Sequence, residues 1–339
     1  MEFINREKDI KYLRAHFESE PNSLLFVYGP KSGGKSALLE KVSKSLNKEQ
    51  YAVNYISLRG VLIYDFKSFI KIFFPENLKG KLKDILDGFT LNIGFFGVKL
   101  EEENILYENP FKLMIDKLDS ANKRGIKPII IIDELQLLRH IYINGERYLI
   151  EELFNLFIEI TKVKHLAHVV LATSDSYFIE EIYKSSKLAK TSRFFLLDHF
   201  DKKTVFNWLK KEKFSEKEIN IVWDFVGGCP WEIREIIKDK KQGIDVENSI
   251  NMLLKNSYGR VFEFGITLIK EEKDVFDKVI KEIAKKGFFE VHYDNQINYL
   301  DILLKKTIEL DIWFYKPEEH KIEANSISVF HSLKKLINS

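Results

Sequence analysis

Residues 22–46 read NSLLFVYGPKSGGKSALLEKVSKSL, and this stretch decides the fold. Ser23 to Tyr28 is a short apolar run of the kind that forms a buried strand. Gly29-Pro30-Lys31-Ser32-Gly33-Gly34-Lys35-Ser36 follows and matches G-x4-G-K-[ST]; from Ala37 the pattern turns helical. The spacing therefore predicts a glycine loop between a strand and a helix. Glycines let the chain wrap tightly enough for several backbone N–H groups to point at one anion. The helix behind the loop turns its positive end toward the same anion. In that arrangement Gly29 to Ala37 cradle phosphates. Lys35 reaches the β- and γ-phosphates, and Ser36 ligates Mg²⁺.

Moving outward, Tyr51–Leu58, Pro128–Ile132, His168–Thr173 and Phe194–Leu197 also read as strands. Helical patterns at 7–19, 109–123 and 146–163 are interleaved with them. Residues 64–88 look helical with a break near Pro75, and 89–100 suggest a β insertion. Strands alternating with helices imply a parallel sheet covered on both faces. The Pro128–Ile132 strand ends in Asp133 and Glu134. With a phosphate loop upstream, the first acid is expected to hold Mg²⁺, and the second to orient or deprotonate an attacking water. Ligands of such sheets bind outside the carboxyl ends of the strands. Thr173 or Ser174, at the end of the next strand, is therefore a candidate γ-phosphate sensor. No N-K-x-D guanine-reading tetrapeptide occurs, so the expected nucleotide is ATP, with ADP as product.

From about residue 200 the chain reads as helices at 202–212, 215–226, 230–239 and 245–257. A separate piece begins near 263. Helices at 271–286 and 297–308 precede two short strands around Pro317-Glu318-Glu319, and a last helix covers 326–337. Helices followed by a hairpin suit a winged helix. The expected organisation is a nucleotide-binding core at 1–199, a helical lid at 200–262 and a winged-helix domain at 263–339. The fold class is α/β, a P-loop parallel-sheet core with lid and C-terminal winged helix.

The chain has 339 residues and a formal net charge of +2. That length suits two or three domains, and the charge gives no global case for nucleic acid or acidic membranes. Residues 263–339 carry 12 Lys/Arg against 14 Asp/Glu. The one cysteine, Cys229, excludes an intrachain disulfide and fits a reducing compartment. MEFINREKDI lacks the apolar core of a signal peptide. No apolar run approaches the roughly 20 residues of a membrane helix. A cytoplasmic protein without membrane contact is expected.

Taken in order, these motifs resemble the archaeal ATPase family of the AAA+/STAND group. The resemblance runs from Phe3-Ile4-Asn5-Arg6-Glu7 through GPKSGGKS, IIIIDELQ at 129–136 and LATSD at 171–175. It continues through Arg193, GGCP at 227–230 and the hairpin-bearing tail at 311–333. It implies that Ile4, Asn5 and Arg6 pack near the adenine, and that Pro230, starting a lid helix, contacts the base. It also implies that Arg193 acts as an arginine finger or phosphate sensor. Plain alternatives stay open: Asn5 as a helix cap with Arg6 exposed, and Arg193 as a surface charge. One departure matters. Where many AAA+ proteins carry a lid G-x-x-R, this chain reads Gly228-Cys229-Pro230-Trp231, with Arg234 one turn later. That favours a nucleotide-held switch over a fast ring motor, working with a protein partner or by self-association. The competing expectation is a DNA-associated ATPase similar to replication initiators. The acidic tail argues against it.

Overall fold

A computed structural model describes residues 4, 6–63, 68–69, 110–143, 145, 147–185, 188, 190–291 and 297–338. The helix expected at 64–88, apart from Ser68 and Phe69, and the β insertion at 89–100 lie outside the described residues, as does Asn5.

The core is a five-stranded parallel sheet. Its strands are β1 (Leu24–Tyr28), β2 (Tyr51–Ser57), β3 (Lys127–Asp133), β6 (His168–Thr173) and β7 (Ser192–Leu196). Their spatial order is β2-β3-β6-β1-β7, and every pairing is parallel. Two short strands, β4 (Tyr142–Ile143) and β5 (Arg147–Tyr148), form an unexpected antiparallel pair between β3 and β6.

Successive side chains of a strand point to opposite faces, and the apolar runs are divided accordingly. Leu25, Val27, Ile129, Ile131, Val170 and Ala172 pack on one face with α1 (Glu7–Glu18) and α2 (Lys35–Ser45), through Leu13, Phe17, Leu38 and Leu39. Leu24, Phe26, Ile130, Ile132, Val169 and Leu171 form the other face. They pack with α3 (Pro110–Lys123), α4 (Leu149–Ile158) and α5 (Ser176–Lys184). Strands buried on both sides read as continuous apolar text, which is why they were legible. The helix expected at 146–163 is shorter: α4 ends at Ile158 and gives way to a π turn over Glu159–Val163.

Beyond β7 come α6 (Lys202–Lys211), α7 (Glu216–Val226), α8 (Pro230–Lys241) and α9 (Val246–Thr267). Each start has a chemical reason. Asp201 and Asp245 cap α6 and α9, a full Ser215/Glu218 capping box opens α7, and Pro230 occupies the first turn of α8. The C-terminal module contains α10 (Lys270–Lys286), β8 (Phe288–Glu290), α11 (Ile297–Glu309), β9 (Trp313–Lys316), β10 (Lys321–Ala324) and α12 (Ile327–Ile337). Its three-stranded sheet has the antiparallel order β8-β10-β9. The hairpin matches the sequence reading, while β8 was not anticipated.

The expected division at 262/263 falls inside α9. Val246 and Ile250 belong to the core of the α6–α8 helices, whereas Val261 and Phe264 belong to the C-terminal core. Buried polar bonds reinforce the junction. The Glu232 carboxylate of α8 accepts from Ser326 Oγ (3.2 Å) and Ser328 Oγ (2.6 Å) at the start of α12. The C-terminal module also reaches the sheet. Phe314 stacks on Tyr28 at 6.4 Å and joins the sheet's hydrophobic core, and the Tyr315 N–H donates to Ser176 Oγ (3.2 Å).

Candidate nucleotide site

The carboxyl ends of β1, β3 and β6 bring together residues far apart in sequence. After β1 the chain turns through Gly29, where a side chain is impossible: an added Cβ would lie 2.1 Å from the Leu197 carbonyl oxygen. Ser32 (φ 58°) and Gly34 (φ 96°) are left-handed, and α2 begins at Lys35. Left-handed residues in a tight turn aim neighbouring N–H groups inward, which builds an anion-binding nest at the positive end of α2.

Lys35 is buried, and its ammonium donates to the carbonyls of Gly29 and Pro30, both at 2.9 Å. Burial pushes its pKa down to about 8, against the opposing fields of Glu134 and Asp133. The group is thus held beside the two acids, at a cost in hydration that phosphate oxygens would offset.

Asp133 closes β3 with a buried carboxylate. Its Oδ1 accepts the Glu134 N–H (3.0 Å) and its Oδ2 accepts the Tyr55 hydroxyl of β2 (2.9 Å). Glu134 is left-handed (φ 63°), which turns its side chain out of the strand direction. Arg59, just after β2, forms an ion pair with its Oε1, and Gln136 Nε2 donates to its Oε2 at 2.6 Å. Gln136 Oε1 in turn accepts from Thr173 Oγ1 at 2.6 Å. The sensor position and the second acid are therefore connected through one amide. Of the two sensor candidates, Thr173 makes this contact. Ser174 follows it, nearly buried, at the end of the same strand.

Ser36 and Asp133 are hard oxygen donors at the end of the loop and of β3, and they fit a divalent cation of the Mg²⁺ type. A second sign of a ligand is His199, which follows Asp198 beyond β7. Its Nε2 is buried and unpartnered, and burial among charges that include Arg6 and Lys35 lowers its pKa to about 4.

The N-terminal box folds onto the same place. Arg6 donates to the Gly33 carbonyl at 2.8 Å, lies 4.3 Å from the Phe200 ring centroid and is nearly buried. This corrects the alternative of an exposed Arg6. The position preceding α1 is Arg6 itself, and Ile4 packs on the α6–α8 helices. Pro230 starts α8 as expected, behind the buried Cys229, whose thiol is pushed up to about 12 by burial. Arg193 is not part of the cluster. It pairs in register with Leu25, near the amino end of β7, and its charge is felt by His16 on α1. At about 3.3 Å per residue, the three steps from Leu25 to Tyr28 alone put it roughly 10 Å short of the loop along the sheet. A role for Arg193 at this chain's own loop, as finger or phosphate sensor, is corrected on this ground.

From the other side, the α11–β9 turn touches the loop. Lys31 Nζ donates to the Glu309 carbonyl (3.1 Å) and pairs with Asp311 Oδ1 (3.1 Å). Sequence reading missed Tyr55, Arg59, Gln136, Phe200 and Asp311. Of these, Gln136 and Asp311 lay inside stretches quoted for the resemblance, at 129–136 and 311–333.

Comparison with known proteins agrees with this geometry. Residues 3–236 match the model of an ATPase domain predominantly from Archaea. An uncharacterized ATP-binding protein of Methanocaldococcus jannaschii is 36% identical over 346 residues, covering 100% of this chain and 98% of the relative. A second from the same organism is 37% identical over 353 residues, covering 99% and 95%. Among solved structures, a Walker-type ATPase of Pyrococcus abyssi superposes with a TM-score of 0.64 at 17% identity, over 98% of this chain and 96% of that one. The ORC2 protein of Aeropyrum pernix, in its ADPNP–ADP complexes, gives 0.54 at 11% identity over 99% and 95%. No helix among the described residues is long and apolar enough to cross a membrane. By family model, relatives and a site with the residues of a phosphate loop, the chain belongs to the archaeal ATPase family.

Proposed function

We propose that the chain is a Mg²⁺-dependent ATPase of the STAND type that works as a molecular switch. ATP is held between the sheet core and a lid formed by the helices from residue 202 to the first half of α9. The observation that carries this reading is the convergence of Lys35, Ser36, Asp133, Glu134 and Thr173 at one sheet edge. The loop N–H groups and Lys35 bind the phosphates; Ser36 and Asp133 would hold the cation, which would supply charge neutralisation at the transferred phosphoryl group. Glu134 takes the proton of the attacking water. Thr173, through Gln136, reports on the γ-phosphate. Arg6 and Ile4 line the base side with Pro230.

The C-terminal module is read as a winged helix that grips the loop through Lys31 and Asp311. Turnover is slow while Arg59 and Gln136 hold the Glu134 carboxylate. Substituting Glu134→Gln should leave ATP binding intact and lower hydrolysis by about 100-fold or more, the scale of general-base catalysis. Equal turnover of variant and wild type would remove Glu134 from the mechanism.

The order of sheet core, helices and C-terminal hairpin module leaves one second reading, a DNA-associated ATPase. Electrostatics weigh against it. Glu318 and Glu319 sit at the tip of the C-terminal hairpin, and Lys306 on α11 is paired with Glu272 at 2.7 Å. Hydrolysis measured with and without duplex DNA separates the two. Stimulation that disappears at high salt would favour the DNA reading.

A further inference from the structure

Tyr55 occupies a place that neither the phosphate loop nor the acidic pair accounts for. It lies on β2 opposite Ile131, and Asp133 is two residues further along β3, so both side chains leave the sheet on the same face. That face is the one covered by α2, whose first turn carries Ser36. The phenol reaches diagonally between the two. Its hydroxyl is 2.9 Å from Asp133 Oδ2, and the Ser36 hydroxyl interacts with the same phenol from the start of α2.

The chemistry gives this chain of three groups one direction. An ionised carboxylate only accepts, so Tyr55 is the donor to Asp133. A phenol has one proton, so its oxygen accepts from Ser36. The single proton of Ser36 is thereby committed, and both lone pairs of its oxygen are free to serve a cation. The second Asp133 oxygen is fixed by the Glu134 N–H, so the carboxylate plane is held from both ends.

We propose that Tyr55 is a positioning residue for the cation, one that orients both Ser36 and Asp133 toward Mg²⁺ through a directed Ser36–Tyr55–Asp133 relay. This rests on reading the site as one for Mg²⁺ and ATP. Residues that orient metal ligands typically change metal affinity by 10–100-fold when lost, and a phenylalanine keeps the ring in its packing while deleting the relay.

The experiment compares wild type with Tyr55→Phe. A fluorescent, non-hydrolysable ATP analogue is titrated into the full chain in EDTA, and again across a range of Mg²⁺. Mn²⁺ binding with the same analogue is followed by electron paramagnetic resonance, which reads the metal without hydrolysis. The expected result is unchanged analogue affinity in EDTA, with half-saturating Mg²⁺ and Mn²⁺ concentrations raised about tenfold or more. Unchanged cation dependence overturns the proposal. So does an equal loss of affinity with and without cation, which would make Tyr55 a packing residue only. A wild-type protein that binds the analogue equally well with and without the cation removes the metal reading itself, and this relay with it.

Discussion

Replacing Lys35 with methionine should make the nucleotide-free protein less sensitive to pH, by an amount that follows from where the ammonium sits. Lys35 is buried against two carbonyls, and burial lowers its pKa from 10.5 to about 8. Below about pH 8 the folded and unfolded chains both carry the charge, and the folded state bears the full cost of desolvating it, about 3 kcal/mol at 1.36 kcal/mol per unit. Between about pH 8 and 10.5 the unfolded chain binds a proton that the folded one does not. Stability therefore rises with pH across that window. Integrated between about pH 7 and about pH 9.5, the wild type should gain about 2 kcal/mol relative to Lys35→Met. The carbonyl contacts cancel, because a neutral amine still donates them. Urea unfolding of both proteins without nucleotide, followed by far-UV circular dichroism, measures this difference. Tryptophan fluorescence is the poorer probe: Trp208, Trp223, Trp231 and Trp313 all lie outside the sheet core. Stability curves that run parallel across the range would refute the reasoning and place the ammonium in contact with solvent.

The remaining expectations concern the second acid and the close approach of Gly228 to Phe200. Arg59→Ala should raise basal hydrolysis about threefold, or about 0.7 kcal/mol. Its side chain is 74% exposed, and an exposed cation stabilises a carboxylate by less than about 1 kcal/mol. Steady-state turnover with unchanged nucleotide affinity checks this, and a fall in turnover would make Arg59 a helper rather than a restraint. Gly228→Ala should destabilise the protein by several kcal/mol, because its Cβ would lie 1.9 Å from the Phe200 carbonyl oxygen. Thermal unfolding reads the loss. A shift below about 2 °C, the low end of what 1 kcal/mol produces, would show that the Phe200–Gly228 contact yields easily.

The phosphate loop and the acidic pair were legible because their chemistry constrains adjacent residues. Only glycine fits beside the Leu197 carbonyl, and four consecutive β-branched isoleucines before Asp133 and Glu134 suit a buried strand. The restraints on Glu134 were not legible. Arg59 lies 75 residues upstream and is brought to it by the β2–β3 pairing, which no local pattern encodes. Arg193 was misplaced for a related reason. Sequence marks a strand near it, whereas the register with β1 decides which end of the sheet it occupies. The boundary expected at 262/263 falls inside α9, a helix held by packing on two cores at once, which no local pattern encodes.

That shared helix has a mechanical consequence. α9 has 22 residues, about 33 Å at 1.5 Å per residue, with one end embedded in each core. It behaves as a lever arm without a joint. A rotation of about 10° at its first turn, of the size seen in hinge closures, would sweep its last turn through about 6 Å. A displacement of that size exceeds the reach of the Lys31–Asp311 ion pair. A small rotation among the α6–α8 helices is thus magnified into a break between the C-terminal module and the glycine loop.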